Sequence, residues 1–163
     1  MRYLFIIFLC IILTTVKAFA FSVEDNQTIA PPGYKPLEVK GNAIPWKVFA
    51  TTKEIKKCTK AEDGFDDCFF TPGYSDEMKK LDGKEVTLMG FMFPLSEADK
   101  QTNFLIGPYP LSCPFEYHSP PSQIVEVITK TPVKFSFDPV TVKGVLEVRY
   151  NKETGVFYYL NGK

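Results

Sequence analysis

Alternating apolar and polar positions dominate the C-terminal half of the chain. Between Val140 and Arg149 the apolar side chains occupy every second position, which is the period of a half-buried strand. The same period of two begins after Lys84. Three further segments, at 103–109, 123–129 and 156–160, are rich in β-branched or aromatic residues and are flanked by turn-forming residues. The pattern therefore predicts five short strands.

Two shorter elements precede these strands. The segment from Ser75 to Gly83 has a capping serine, acidic residues in its first turn, lysines in its last turn and a terminal glycine, which together predict a short helix. An apolar element at 44–50 carries the only tryptophan, Trp46. We expect Trp46 to anchor the core or an edge of the sheet rather than to stack on a ligand.

This order of elements indicates a mainly β fold. Five short strands after one short helix favour a small five-stranded antiparallel barrel of the oligonucleotide/oligosaccharide-binding (OB) type, with a small sandwich as the alternative. Gly90 and Gly144 fall in the middle of predicted strands, where a small barrel needs bends or bulges. The predicted barrel domain spans residues 44–163.

Residues 1–20 have the pattern of a cleavable signal peptide. Arg2 gives a positive start, an apolar run covers residues 3–16, and the small residues Ala18 and Ala20 form a cleavage site. The run is shorter than the ~20 residues that span a bilayer. We predict cleavage after Ala20, a periplasmic or secreted protein, and no transmembrane segment in the mature chain. Residues 21–43 show no period and are predicted to form an extended or disordered tail.

The charge balance argues against one class of partner. The chain has 19 basic and 19 acidic residues, and removal of the signal peptide leaves a slight acidic excess. Without a basic surplus there is no general attraction for phosphate groups, so we do not expect nucleic acid binding.

Three cysteines remain after cleavage, namely Cys58, Cys68 and Cys113. An oxidising compartment favours one disulfide, and one pair can be chosen from three cysteines in three ways. We favour Cys58–Cys68, because both lie in a polar, glycine-containing segment at 53–68 that we interpret as a solvated loop. Closing a loop of this length would stabilise the fold by about 3 kcal/mol.

The leftover thiol lies in a proline-rich loop at 111–121 together with the only histidine. Cys113, Glu116 and His118 offer sulfur, oxygen and nitrogen donors, which are the donor types that zinc binds. The loop could instead be purely structural, or could support thiol chemistry. We do not predict an enzyme, since no third group orients a Cys–His pair and the Cys-x-x-Cys spacing of thiol oxidoreductases is absent.

Several of these segments, in this order, resemble an exported bacterial family catalogued as domain of unknown function 3299. The resemblance covers roughly residues 44–160 and rests on Leu81–Leu95, Phe104–Ile106, the proline-rich loop, Pro120–Val127 and Val140–Gly144. It implies an OB-like barrel and an envelope location. Some family members are similar to components encoded near zinc-responsive transport systems, which implies metal handling or an accessory role rather than catalysis.

Two departures from the family pattern concern the cysteines. In the family the proline-rich loop often carries paired cysteines or a Cys-Cys-His cluster, whereas here Cys113 stands with Glu116 and His118. The segment from Cys58 to Cys68 looks like an addition to the pattern, which fits a bond between these two residues.

Three functional hypotheses follow from the sequence. The first is an exported accessory protein that uses the Cys113–His118 loop to bind a metal, zinc being the candidate, or a partner such as an envelope protein or transporter component. The second is a structural or interaction protein of the envelope without a ligand. The third is a thiol-dependent enzyme.

Overall fold

A computed structural model describes residues 33–60, 64–112 and 118–163. The predicted signal peptide at 1–20 and the first part of the predicted tail, 21–32, lie outside the described residues. In chain order the elements are α1 (Trp46–Phe49), β1 (Lys53–Lys60), β2 (Asp66–Gly73), α2 (Asp76–Lys79), β3 (Glu85–Pro94), β4 (Lys100–Gly107), a 3₁₀ turn (Pro121–Gln123), β5 (Val125–Lys134), β6 (Val140–Val148) and β7 (Tyr158–Gly162).

Five strands close into a barrel in the order β3-β4-β5-β7-β6, which confirms the predicted OB-like fold class. Four of the five strand pairings are antiparallel, and β5 and β7 run parallel. The sequence predicted an antiparallel barrel, and the difference has a simple cause. A closed ring with an odd number of strands cannot alternate in direction all the way round, so one neighbouring pair must be parallel.

Strand β3 belongs to both halves of the barrel. Its first part, Glu85–Gly90, pairs with β6, and its second part, Phe91–Pro94, pairs with β4. Gly90 lies at the change of partner, where a Cβ atom would be 2.6 Å from the carbonyl oxygen of Gly107 and 2.8 Å from the ring of Trp46. Only glycine lets the two backbones and the indole approach this closely.

Large apolar side chains fill the barrel interior. Alternate residues of β3 point inward, and β6 follows a similar pattern, whereas the first three residues of β7 are all buried. The fully buried members are Leu88, Met92, Phe104, Ile106, Val125, Val127, Leu146, Phe157, Tyr158 and Leu160. The period-two positions of β3 and β6 therefore supply one part of the core, and the consecutive buried residues 156–160 supply another.

Helix α1 packs over the start of β7. Phe49 is fully buried and meets the Tyr158 ring edge-on at 5.2 Å. Trp46 is 3% exposed, and its indole N–H donates to the carbonyl oxygen of Met89 at 2.9 Å. The prediction of Trp46 as a core anchor is confirmed, and its hydrogen bond satisfies the one polar group that burial of the indole would otherwise leave unpaired.

Helix α2 begins where the sequence predicted. The Ser75 hydroxyl oxygen accepts from the backbone N–H of Met78 at 3.1 Å, which is an N-cap bond. The helix ends at Lys79, earlier than predicted, and the chain continues as a turn to Gly83, whose φ of +69° is a value that glycine adopts without strain. Met78 is fully buried and fixes the helix to the core.

The segment predicted as a solvated loop is instead a hairpin. β1 and β2 pair antiparallel over their whole length, and the register places Cys58 opposite Cys68, which form the disulfide favoured from the sequence. The loop interpretation was wrong because a strand is recognised in a sequence by the apolar alternation that burial of one face produces. All of β1 after Glu54 is exposed, so its residues show no apolar alternation despite their strand conformation.

The stretch at 33–43 forms no helix or strand, yet it is tied to the barrel. The Leu37 N–H donates to the Pro108 carbonyl oxygen at 2.9 Å, and the Ile44 N–H donates to that of Thr87 at 3.0 Å. Leu37 and Val39 pack against the core cluster. Within the described ranges, no helix has the length and apolar character needed to cross a membrane.

Gly144 provides a stability test of barrel closure. A Cβ atom there would lie 2.4 Å from the carbonyl oxygen of Asn161 and 2.9 Å from the Cα atom of Gly162, both on the neighbouring β7. We expect Gly144→Ala to lower the free energy of unfolding by roughly 1–3 kcal/mol, because backbone atoms must move apart. Urea denaturation measures the change.

The matched control is Thr141→Ala, on the exposed face of the same strand. It should change the free energy of unfolding by no more than about 0.5 kcal/mol. Equal effects of the two substitutions would contradict the close approach of β6 and β7.

Candidate functional site

The predicted site lies on the connection between β4 and β5, at residues 108–124. The structure describes 108–112 and 118–124, so it includes His118, whereas Cys113 and Glu116 lie outside the described residues. Helix α1 and the β1 strand contact the 3₁₀ turn near the end of this connection. The loop predicted to carry function is therefore next to two of the elements that precede the barrel.

A compact turn follows His118. The Gln123 N–H donates to the Pro120 carbonyl oxygen at 2.8 Å, and the Ser119 hydroxyl donates to the carbonyl oxygen of Gln123 at 3.5 Å. Ser119, Ser122 and Gln123 are all buried. Pro121 stands at the first position of the turn, where its fixed φ suits a 3₁₀ conformation. His118 thus precedes a structured base that leads directly into β5.

A carboxylate from the hairpin holds this base. One oxygen of Glu54 accepts from the Ser122 N–H at 2.9 Å, across a separation of 68 residues. The turn therefore gains a charge-assisted hydrogen bond, stronger than one between neutral groups. Sequence reasoning missed Glu54, because an isolated acid among the lysines of β1 gives no signal of its partner.

Buried hydroxyl groups lie close to the same junction. The Tyr158 hydroxyl donates to that of Thr52 at 2.6 Å, and both residues are buried. Burial raises the pKa of Tyr158 far above its usual range; the bond to Thr52 acts in the opposite direction, and the charge of Glu54 raises the pKa further. Tyr158 consequently stays a neutral donor, so the arrangement positions α1, β1 and β7 rather than supplying an acid or a base.

His118 is half-buried in the structure. Among the described residues there is no group of three or more His, Cys, Asp or Glu side chains that could hold a metal ion. The zinc prediction therefore depends on Cys113 and Glu116, and it stays a prediction.

The geometry defines the class of protein: a small closed OB-like barrel with a filled interior and a histidine-bearing loop between β4 and β5. A family model described as "Protein of unknown function (DUF3299)" matches residues 47–160. The chain therefore belongs to the DUF3299 family, as the sequence resemblance predicted.

A crystal structure of a DUF3299 family protein from Pseudomonas aeruginosa PAO1 is similar, with 30% sequence identity and a TM-score of 0.48. The alignment covers 57% of this chain and 64% of that protein, so the chain spans less than two thirds of its length. No functionally curated protein matches the chain.

The Glu54–Ser122 bond can be tested directly. We expect Glu54→Ala to remove the only acceptor described for the Ser122 N–H and to lower the free energy of unfolding by about 1 kcal/mol. Amide hydrogen exchange should detect the loss as faster exchange at Ser122, by roughly fivefold. Glu54→Gln keeps an acceptor oxygen and should restore most of the protection. Unchanged exchange in Glu54→Ala would contradict the bond.

Proposed function

We propose that this chain is an exported accessory protein that binds a metal ion, with zinc as the candidate, through the loop that contains Cys113, Glu116 and His118. The observation that carries the proposal is the placement of His118 directly before a buried, hydrogen-bonded turn. A ligand on such a base loses less freedom on metal binding than one in an unsupported loop. The donor set comes from the sequence, and three ligands would leave a coordination position open for exchange.

The barrel itself supports a site on the surface rather than inside. Its interior positions hold Leu88, Met92, Phe104 and Ile106, each fully buried. A small barrel can bind a ligand in an open interior or on its loops. Because this interior is filled, the loops are the remaining candidates for a ligand site. The disulfide supports the same assignment, because it occupies Cys58 and Cys68 and so leaves Cys113 as the one thiol of the predicted mature chain.

Calorimetric zinc titration of the purified protein, with the Cys58–Cys68 disulfide intact, tests the proposal. We expect one zinc ion to bind, and both His118→Ala and Cys113→Ser to weaken binding by about tenfold or more, since each removes one of three protein ligands. Asp138→Asn is the matched control, because Asp138 is an exposed carboxylate on the connection between β5 and β6. Equal and weak binding in all four proteins would eliminate the metal site.

A second candidate, an envelope interaction protein without a ligand, is favoured by one specific observation. Leu95 and Phe137 are 48% and 74% exposed, and both lie on loops that leave β3 and β5 at the same end of the barrel. Exposed apolar side chains that cluster on loops are typical of protein contact sites. If the protein has this interaction function, a stoichiometric partner should co-purify with it from membranes, and Phe137→Ser should abolish that association. A protein that purifies alone would count against this function.

A further inference from the structure

The disulfide lies on a part of the hairpin that projects from the barrel. The inner half of the hairpin contacts the rest of the protein through Glu54 with the 3₁₀ turn, through Phe70 with the core, and through the Phe69 ring, whose centroid lies 5.6 Å from the Lys152 ammonium. Cys58 and Cys68 are both exposed, and so are their neighbours along both strands between residues 56–60 and 66–68. A thiol in solution can therefore reach the sulfur atoms without any opening of the barrel.

The neighbours of Cys58 and those of Cys68 differ in charge. Side chains alternate along a strand, so Lys56 and Lys60 share the face of Cys58, whereas the neighbours of Cys68 on that face are Phe70 and Asp66. Lys60 is paired with Asp66 at 2.8 Å. Lys56 has no ion-pair partner among the described residues, so its charge is available to stabilise a thiolate at Cys58.

We propose that Cys58–Cys68 is a thiol–disulfide exchange site that reacts reversibly with low-molecular-weight thiols in the folded protein. Reactive cysteines occur in exposed, electropositive surroundings, and exposed disulfides are the labile ones. This assignment does not depend on the metal site, since none of its residues belongs to the Cys113–His118 loop.

The asymmetry of charge fixes the direction of attack. The thiolate of one reductant molecule attacks the Cys68 sulfur, the Sγ–Sγ bond breaks, and its electron pair leaves on Cys58 as a thiolate next to Lys56. A second reductant thiolate then attacks the reductant sulfur of the mixed disulfide and expels the Cys68 thiolate. Two electrons pass to the protein, the two reductant molecules become one disulfide, and their two protons end on the cysteines.

The fold can tolerate both redox forms. Neither cysteine belongs to the core cluster, and the barrel strands close without a contribution from β1 or β2. Reduction should therefore loosen the outer hairpin while the barrel remains folded. A disulfide shielded by the fold would instead resist reduction until the barrel unfolds.

Incubation with glutathione at a series of reduced-to-oxidised ratios tests the site, in a Cys113→Ser background so that the hairpin pair is isolated. Thiol trapping and mass spectrometry give the fraction reduced, and Trp46 fluorescence reports whether the barrel is folded. We expect both forms to coexist across the series, with interconversion that is first order in glutathione and no change in Trp46 emission. A pair that stays oxidised at every ratio, or reduces only as the fluorescence reports unfolding, overturns the proposal.

Matched lysine variants test the direction of attack. Lys56→Gln should slow the reduction about twofold, the effect expected for one charge roughly 7 Å away in water. Lys57→Gln removes the same charge from the opposite face of the hairpin and should leave the rate unchanged. Equal rates in the two variants would show that the face of Cys58 has no special role, and so would overturn the assigned exchange step.

Discussion

Closure of the barrel is the constraint on which the rest of this structure depends. Five strands must meet in a ring, so β3 divides its length between β6 and β4, and β7 pairs in parallel with β5. The division of β3 brings backbones unusually close together at Gly90, and the antiparallel β6–β7 pair does so at Gly144. A Cβ atom at either position would collide with a neighbouring strand. The ring removes every free edge of the barrel, and it also leaves the interior to apolar side chains.

The segments that precede the barrel organise its surroundings. Helix α1 brings Trp46 against Met89 and Phe49 against Tyr158, and the following hairpin places Glu54 beside Ser122. The base of the proposed metal loop is therefore held by residues far away in the sequence. The same hairpin extends its outer half into solvent with the disulfide, so one element combines a structural role near the barrel with proposed redox chemistry further out.

The candidate site was predictable only in its composition. Cys113, Glu116 and His118 are recognisable as donors because they differ from the apolar and proline-rich residues around them. The support beneath them was not predictable, since a hydrogen bond across 68 residues leaves no local pattern at either Glu54 or Ser122. Family membership agrees with the fold, and the family description names no activity.

The sequence by itself determined the elements whose signals are local. Period-two alternation located β3 and β6, and β-branched or aromatic residues between turn formers located the other three barrel strands. Ser75 marked the start of α2, and shared polar surroundings pointed to the Cys58–Cys68 pair. Tertiary structure alone decided the parallel pairing of β5 with β7 and the strand conformation of the hairpin. Strand direction depends on closure of the ring, and a strand exposed on both faces lacks the one-sided burial that produces alternation.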